Sequence, residues 1–439
     1  MNTDLTEKFS ALASEAFVHA LELSDPALLV REQLEIAGGS VRTGKRTWER
    51  AGRVAVIAAG KAAAPMARAA AQVLGGRTSE GLLVAPTLPD ELPAGFEPIA
   101  AEHPSPGAGS LRAATRAARI AGGLGENDLL VLLLSGGASS LLGAPASGLS
   151  PDAFHRIWGA LLSSGADIID MNIVRKHASL LGGGKLALLA APARVETLAI
   201  SDVPGDDPAS IGSGPCVPDA STFAQALGVL ERFNLTHVHP EVAGHFRNGI
   251  QGKLPETLRP EDPVAALAGF TLLDSAREVL KRIKLQLTLI PDVRIWESAQ
   301  LGGIDYQVRR LLKELEGAPT GRPAALLCAG EPTAPVPRDA GSGGRASHFA
   351  LEFALTAEKA GPARFVLLSG ASDGADGNTG AAGALITHES LPRARARGLA
   401  PEVFLQHFDS GSLFEQTGEA VFTGPTGTNV SDLRIAITW

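Results

Sequence analysis

The sequence has little cysteine and no excess of basic charge. It contains two cysteines in 439 residues, too few for a disulfide framework, and they do not have the spacing of a zinc site. Lysine and arginine total 39 against 47 aspartates and glutamates, which gives a net charge of −8. This balance argues against a nucleic-acid-binding protein. We therefore expect a protein of the reducing cytoplasm with no nucleic-acid partner.

Long apolar runs are also lacking. Runs such as Leu129–Leu134 are far shorter than the roughly 20 residues that cross a bilayer. The N-terminal segment, Met1–Glu22, carries interspersed charges, which predicts an amphipathic helix and not a signal peptide. The expectation is a soluble protein with no membrane partner.

Short apolar runs alternate with helical patterns along most of the chain, which is typical of an α/β fold. Predicted strands are Val54–Ala59, Leu82–Ala85, Pro98–Ala101, Leu129–Leu134, Glu196–Ile200, Phe270–Leu273, Leu285–Ile290, Ala324–Cys328 and Phe365–Leu368. The length favours two domains. A proline-rich stretch that begins near residue 240 places the boundary there, so we predict domains at 1–240 and 241–439. Strands separated by helices indicate mostly parallel sheets with helices on both faces.

Glycine is abundant, at 50 residues, and it clusters directly after the apolar runs. Ligands of α/β proteins bind at the carboxyl ends of strands, so these clusters are candidate sites. Gly60-Lys61 follows the first strand, and Gly343-Gly344-Arg345 opens a helix of the second half. Either cation could bind a phosphate or a carboxylate, although a solvated surface charge is the alternative at each position.

Other polar clusters follow the same strand ends. Ser135, Gly136 and Gly137 could surround an anion with backbone amides, or could simply form a tight turn. The carboxylates of Asp202, Asp206 and Asp207 could hold Mg²⁺ or accept a proton, although aspartates also stabilise turns. Asp373 belongs to a similar acidic turn. Arg175 and Lys176 lie beside His177, and because three successive residues cannot share one helix face, at least one could face a ligand.

Two sequence motifs of nucleotide-binding proteins are absent or incomplete in this chain. No Gly-x-x-x-x-Gly-Lys-Ser/Thr string occurs, so a P-loop is absent. The string Gly182-x-Gly184-x-x-Ala187 lies 20 residues before Asp202, close to the spacing of a dinucleotide site. The residues before it, however, do not have the pattern of a buried strand.

Taken in order, these strings resemble the glycerate 2-kinases that join an N-terminal Rossmann-like glycerate kinase domain to a smaller C-terminal MOFRL domain. The strings that carry the resemblance are Gly60-Lys61-Ala62-Ala63, Glu102-His103-Pro104, Leu134-Ser135-Gly136-Gly137, Asn172-Ile173-Val174-Arg175-Lys176-His177, Ser201-Asp202-Val203-Pro204-Gly205-Asp206-Asp207-Pro208, Gly212-Ser213-Gly214-Pro215, Gly330-Glu331-Pro332-Thr333, Gly343-Gly344-Arg345, Ser372-Asp373-Gly374-Ala375-Asp376-Gly377 and Thr423-Gly424-Pro425-Thr426-Gly427-Thr428-Asn429. The ordered set spans nearly the whole chain.

The resemblance implies transfer of the γ-phosphoryl group of ATP to D-glycerate, usually at the 2-hydroxyl, with Mg²⁺ or another divalent metal, in a cleft between the domains. On that basis Lys61 and Arg345 are predicted to bind the phosphoryl group and the substrate carboxylate, in an order left open. Asp202 and Asp206 are candidates for metal binding or for accepting the hydroxyl proton. The predicted binding residues are Gly60, Ser135, Gly136, Gly137, Arg175, Lys176, Asp206, Asp207, Gly343, Gly344 and Asp373. A homodimer is left open.

The sequence departs from the family pattern at three places. Ala138 replaces a third glycine, Ala346-Ser347-His348 replaces Asn-Gln or Asn-x after the arginine, and Gly380 replaces an acidic residue. Two alternatives remain: an NAD(P)H-dependent reductase of hydroxypyruvate or tartronate semialdehyde that uses the Gly182 string, and a non-catalytic binder of small anions.

Overall fold

The computed structural model describes residues 2–49, 52–296, 302–317, 321–337 and 339–439. Within these residues the helices are α1 (Asn2–Glu22), α2 (Pro26–Gln33), α3 (Ala63–Leu74), α4 (Ala108–Gly122), α5 (Ala138–Leu141), α6 (Pro151–Ser163), α7 (Ile168–Ala178), α8 (Lys185–Ala190), α9 (Phe223–Arg232), α10 (Pro240–Ile250), α11 (Ala276–Gln286), α12 (Ile304–Glu316), α13 (Arg345–Ala360), α14 (Ser390–Ala396), α15 (Pro401–Gln406) and α16 (Ser410–Thr417).

The strands in the same residues are β1 (Leu34–Ala37), β2 (Ser40–Thr43), β3 (Arg46–Trp48), β4 (Val54–Ala59), β5 (Thr78–Ala85), β6 (Phe96–Ala100), β7 (Leu129–Leu134), β8 (Arg194–Ser201), β9 (Ala268–Ser275), β10 (Asp292–Ile295), β11 (Ala324–Ala329), β12 (Phe365–Ala371), β13 (Gly383–Thr387), β14 (Ala420–Val421) and β15 (Asp432–Thr438). Short 3₁₀ turns occur at Gly75–Arg77, Ile211–Ser213 and Pro263–Leu267.

The chain divides into two compact units. The first unit is Pro26–Leu273, and the second unit combines Met1–Asp25 with Asp274–Trp439. This division differs from the boundary predicted near residue 240. The reason is that Pro240 begins helix α10 at a position where proline is favoured, and Phe246 of that helix packs in one apolar cluster with Phe223 of α9. The proline-rich stretch therefore folds as part of the first unit.

The first unit contains the predicted parallel sheet. Its strand order is β6-β5-β4-β7-β8-β9, and the pairs from β6 to β8 are all parallel. Every residue of β4 and of β7 is buried, which explains why these strands are continuous apolar runs in the sequence. Helices flank the sheet, and a small antiparallel sheet of β1, β2 and β3 lies in the same unit. The α/β prediction is confirmed here.

The second unit is α/β as predicted, but its sheet is not mostly parallel. The strand order is β10-β11-β15-β12-β13-β14, and only β10 and β11 pair in parallel. The C-terminal strand β15 inserts between β11 and β12 and runs antiparallel to both. Alternation of strands and helices along the chain could not predict that the last strand enters the middle of the sheet.

The strand predicted at Leu285–Ile290 is wrong. Helix α11 continues to Gln286, because the buried side chains of Val279, Ile283 and Leu287 recur every four residues, as on one face of a helix. Leu285 is 76% exposed, which a buried strand would not allow. The strand that follows is β10, shorter and further along the chain.

Across the described residues, no helix combines the length and the apolar character needed to cross a bilayer.

Candidate active site

The first unit brings two predicted glycine turns together at one edge of its sheet. Lys61 follows β4 and Ser135 follows β7, and these two strands are parallel neighbours. The N–H of Lys61 donates to the carbonyl of Gly136 at 2.9 Å, and the N–H of Ala62 donates to Oγ of Ser135 at 3.0 Å. The side chain of Lys61 is exposed. The lysine is therefore presented to solvent by two turns that are hydrogen-bonded to each other.

Glycine is required where these turns meet. Gly60 has φ of +137°, and a Cβ at this position would lie 2.6 Å from the carbonyl oxygen of Ser135. A Cβ on Gly136 would lie 2.5 Å from Oδ2 of Asp202. Asp202 follows β8, the next strand of the sheet, and is exposed. The structure thus brings Gly60, Ser135, Gly136 and Asp202 together at the carboxyl ends of neighbouring strands.

His103 is a member of this cluster that the strand-end argument missed. A Cβ on Gly137, which has φ of +87°, would lie 2.9 Å from Cδ2 of His103. Partial burial and the positive charge of Lys61 both lower the pKa of His103. Its predecessor Glu102 accepts hydrogen bonds from the first amides of α4, at Gly109 and Ser110. The Glu-His-Pro string was visible in the sequence, but no property of the string alone indicated that it meets the Lys61 turn.

The other two aspartates of the acidic turn differ from Asp202. Asp207 accepts the N–H of Ala209 at 3.2 Å and the hydroxyl of Ser210 at 2.7 Å, so its carboxylate stabilises the turn. Asp206 adopts the left-handed backbone conformation with φ of +54°. Among the described residues, no three His, Cys, Asp or Glu side chains are grouped so that they could hold a metal ion. A metal bound here would need most of its ligands from substrate and water.

Arg175 and Lys176 were predicted to bind an anion, and the structure corrects this prediction because both side chains are buried. Lys176 is buried, and its Nζ lies 2.6 Å from Oδ1 of the equally buried Asp219. The guanidinium of Arg175 lies 4.2 Å from the ring centre of Trp158, and burial lowers its pKa to about 10. Both side chains lie in the interior, because α7 packs against α9 within the first unit. Their positive charges contribute to the helical layer and not to an exposed anion site.

The dinucleotide string is not a phosphate cradle in this structure. It follows helix α7 and not a strand. Its amides already have acceptors within the chain: Gly182 donates to Oγ of Ser179, Gly183 to the carbonyl of Ser213, and Gly184 to the carbonyl of Gly214. A Cβ on Gly183 would lie 2.6 Å from Cγ2 of Thr257, so the glycines serve close packing.

The second unit contains a cavity of about 570 Å³ that includes residues at the start of α13. Its polar wall holds Arg345 and Asp432, and its apolar wall holds Val336, Pro337 and Phe408. The complete lining is Ala334, Val336, Pro337, Ala340, Gly341, Gly343, Gly344, Arg345, His348, Ala371, Ala375, Asp376, Gly377, Asn378, Phe408 and Asp432. The predicted residues Gly343, Gly344 and Arg345 therefore border one pocket.

Arg345 is held by two carboxylates. Its Nη1 lies 3.0 Å from Oε2 of Glu331, and its Nε lies 3.3 Å from Oδ2 of Asp432. Burial acts to lower the pKa of Arg345, but these two carboxylates outweigh it and raise the pKa. The Arg345 side chain is 41% exposed, so it can still reach a ligand in the cavity.

In the acidic turn of the second unit, the residue that lines the cavity is Asp376 and not the predicted Asp373. Asp376 is buried, and its carboxylate accepts the amides of Gly344, Ala346 and Ser347 at 2.8–3.2 Å. It therefore caps α13, and these amides do not remain for a phosphate. The carboxylate of Asp373 accepts the N–H of Ala375 at 3.1 Å, and Asp373 is not among the described residues that line the cavity.

An aromatic pair lies beside this arginine. The rings of His348 and Phe408 are stacked, with centres 4.1 Å apart and planes 7° apart. Burial lowers the pKa of His348 to about 4, so its ring is neutral near pH 7. Nδ1 of His348 has no hydrogen-bond partner among the residues that the structure describes. The cavity thus joins a charged end to an uncharged aromatic end.

Comparison with known proteins identifies a family match for each half of the chain. Residues 12–247 match a domain of unknown function, DUF4147, and residues 324–432 match the MOFRL family. A D-glycerate 2-kinase of Thermotoga maritima is 35% identical over 88% of this chain and 90% of its own length. The chain belongs to the glycerate kinase family. A solved glycerate kinase structure from the same organism superposes with a TM-score of 0.82 at 32% identity, covering 99% of this chain and all of that one.

The names within the glycerate kinase family are not uniform. A relative from Agrobacterium vitis that is 39% identical, over 87% of this chain and 98% of its own, bears a provisional hydroxypyruvate reductase name. Several relatives named as glycerate kinases and a solved glycerate kinase structure support the kinase activity.

Proposed function

We propose that this member of the glycerate kinase family transfers the γ-phosphoryl group of ATP to the 2-hydroxyl of D-glycerate, giving 2-phosphoglycerate and ADP. The observation that carries the proposal is the presentation of two cations, Lys61 beside the glycine turn that follows β4 and Arg345 beside the glycines that open α13. Phosphoryl transfer requires mainly positioned positive charge and little covalent chemistry from the protein. Two relatives that cover most of this chain are named as glycerate 2-kinases, which agrees with this reading.

The Lys61 turn is proposed to bind the smaller, anionic substrate. Lys61 supplies an exposed ammonium group, and the amides of Gly136 and Gly137 are the candidates in the adjoining turn for donation to a carboxylate or a phosphoryl oxygen. The amides of Lys61, Ala62 and Ser135 already donate within the turns. Because those bonds fix the turns, the lysine would meet its substrate without a large loss of backbone freedom.

The Arg345 cavity is proposed to receive the nucleotide. Its volume of about 570 Å³ falls within the range of roughly 300–1,000 Å³ that is usual for cofactor-sized ligands and exceeds what a three-carbon acid fills. The stacked pair of His348 and Phe408 offers a neutral surface for a base, and Arg345 offers charge for a phosphate. That Lys61 and Arg345 act on one pair of substrates, between the two domains, stays a prediction.

Asp202 is proposed to accept the hydroxyl proton or to contribute one ligand to Mg²⁺. A single exposed carboxylate fits Mg²⁺ that is held mainly by nucleotide phosphates and water, which is its usual coordination in kinases. When bound, the metal would neutralise charge on the phosphates. A metal role for Asp206, which lies in the same acidic turn, is proposed as secondary. Cytoplasmic location and a homodimer stay predictions.

The reductase alternative loses its sequence support in this structure. A pyrophosphate needs free amides at the start of a helix that follows a strand, and the amides of Gly182, Gly183 and Gly184 are all used within the chain. We expect no NADH oxidation with hydroxypyruvate and no fluorescence change of NADH on addition of the protein. Saturable NADH oxidation by the purified protein would restore the reductase reading.

The position of phosphorylation is tested on the product. The purified protein, incubated with ATP, Mg²⁺ and D-glycerate, is expected to give 2-phosphoglycerate, which ³¹P NMR separates from 3-phosphoglycerate. A product found only as 3-phosphoglycerate would retain the kinase and overturn the 2-hydroxyl assignment. Phosphate release without any phosphoglycerate would overturn the proposed function.

A further inference from the structure

Arg434 is a fully buried cation behind the cavity of the second unit. It lies on β15, in the middle of the sheet, with 0% of its surface exposed. Its guanidinium lies 4.1 Å from the ring centre of Phe349, and Nη1 donates to the carbonyl of Gly330 at 3.2 Å. Within the described part of the chain, Nε and Nη2 have no hydrogen-bond partner. Burial of an arginine with two unsatisfied nitrogens lowers the stability of the fold. We therefore looked for a neighbouring group that this charge could act on.

Asp432 is the charged neighbour of Arg434. It lies two residues earlier on the same strand, so both side chains are on one face of the sheet. Oδ2 of Asp432 is 3.8 Å from Nη2 of Arg434 and 3.3 Å from Nε of Arg345. One carboxylate oxygen therefore connects the buried arginine to the arginine that faces the cavity.

We propose that Arg434 is a positioning residue for phosphoryl transfer: it keeps Asp432 ionised and in place, and Asp432 in turn holds Arg345 toward the cavity. Exposure increases along this relay, from 0% at Arg434 and 3% at Asp432 to a 41% exposed side chain at Arg345. The inference rests on the proposed function, because Arg345 is the group assigned to the nucleotide.

The electrostatics of Asp432 support this relay. Burial raises its pKa to about 6, Arg434 and Arg345 act to lower it, and the nearby carboxylates of Glu331 and Asp376 raise it. Cys328 is the cross-strand neighbour of Arg434 on β11, and burial raises its thiol pKa to about 11, so it is neutral near pH 7. Removal of Arg434 takes away one of two attractive charges and leaves the burial and both repulsive carboxylates. Asp432 would then be largely protonated at neutral pH and would lose its hold on Arg345.

The test is the pH dependence of kcat/KM for ATP in the full-length protein. We expect the wild-type value to fall below about pH 6, where Asp432 protonates. In Arg434→Met the acidic limb should move up by about one pH unit or more, with activity partly regained toward pH 8.5. Arg434→Lys keeps the charge and should shift the limb less. Asp432→Asn should remove the limb and give a low value at all pH.

A matched control separates positioning from general destabilisation. Arg282 forms a comparable ion pair in the same unit, with its Nη2 2.5 Å from Oδ2 of the buried Asp274. Arg282→Met should lower the thermal midpoint without moving the acidic limb. If Arg434→Met lowers kcat/KM equally at every pH, or leaves the limb unmoved, Arg434 is only structural and the inference is overturned.

A second readout does not depend on turnover. Carboxyl ¹³C NMR of the protein labelled at aspartate should show one resonance titrating near pH 6 that disappears in Asp432→Asn and titrates higher in Arg434→Lys. An unchanged titration would contradict the relay even if the protein proves not to be a glycerate kinase. If the titration shifts but the wild-type protein releases no ADP with D-glycerate, the proposed function fails and the coupling of Arg434 to Asp432 stands.

Discussion

Oδ1 of Asp376 accepts the N–H of Ala346 at 2.8 Å, and this bond closes the N-terminal end of α13 beside the nucleotide-sized cavity. The same carboxylate accepts the amides of Gly344 and Ser347. The helix that presents Arg345 thus begins on a protein carboxylate, so the arginine side chain and not the helix end must supply the positive charge for a ligand.

Asp376→Ala is expected to lower the free energy of unfolding by about 1–3 kcal/mol, because the buried amides of Ala346 and Ser347 lose their acceptor. It should also reduce turnover, since α13 carries Arg345. Asp373→Ala is the control, because that carboxylate accepts only one exposed amide of its own turn. Urea unfolding of the three proteins provides the measurement. Equal unfolding midpoints for the two variants would contradict the capping role of Asp376.

Lys61→Ala should lower kcat/KM for D-glycerate by two or more orders of magnitude, because an arrangement that places a cation on the substrate contributes several kcal/mol to the transition state. The fold should be retained, since the side chain is exposed and only its backbone N–H bonds the neighbouring turn. Arg68→Ala, an exposed site on α3, is the control. Near-normal turnover of Lys61→Ala would remove this lysine from the mechanism.

Arg345→Ala should raise KM for ATP and lower kcat, whereas KM for D-glycerate should change less. The reason is that the cavity beside Arg345 is assigned to the nucleotide. Arg345→Lys retains the charge but not the two-sided contact with Glu331 and Asp432, so it should recover only part of the activity. Steady-state kinetics with each substrate varied in turn will test this. A selective rise in KM for D-glycerate would reverse the two assignments.

His348 should make stability depend on pH. Its folded-state pKa of about 4 is below the ordinary value of 6.5, so the unfolded chain binds the proton more readily, and stability is lost as pH falls from about 6.5 toward 4. Replacing it by glutamine should reduce the loss of unfolding free energy between pH 7.5 and pH 5 by about 2 kcal/mol. His407→Gln, at an exposed ring, is the control. An unchanged pH dependence in His348→Gln would contradict a buried neutral ring.

The features that follow from local sequence were predictable. Fully buried parallel strands such as β4 and β7 are apolar runs, and the glycine and lysine that follow such a run at Gly60-Lys61 lie at the strand end where the sequence placed them. The family resemblance is confirmed by the matches over residues 12–247 and 324–432. Arg345, predicted at the glycine-rich start of a helix, borders a cavity of the second unit.

Features that depend on contacts between residues far apart in the sequence were not predictable. Lys176 looked available for phosphate, but its charge is taken by Asp219, 43 residues later in the chain. His103 joins the Lys61 turn through packing that its own string does not encode. The antiparallel insertion of β15 places Asp432 behind Arg345, and nothing in the spacing of these residues along the chain indicates that contact.

The most direct test of the account is ADP release by the purified protein from ATP and Mg²⁺ with D-glycerate, with enolase added to convert any 2-phosphoglycerate to phosphoenolpyruvate. The account predicts ADP release that requires D-glycerate, together with phosphoenolpyruvate formation from enolase alone. The absence of glycerate-dependent ADP release with Mg²⁺ and with other divalent metals would contradict the kinase assignment.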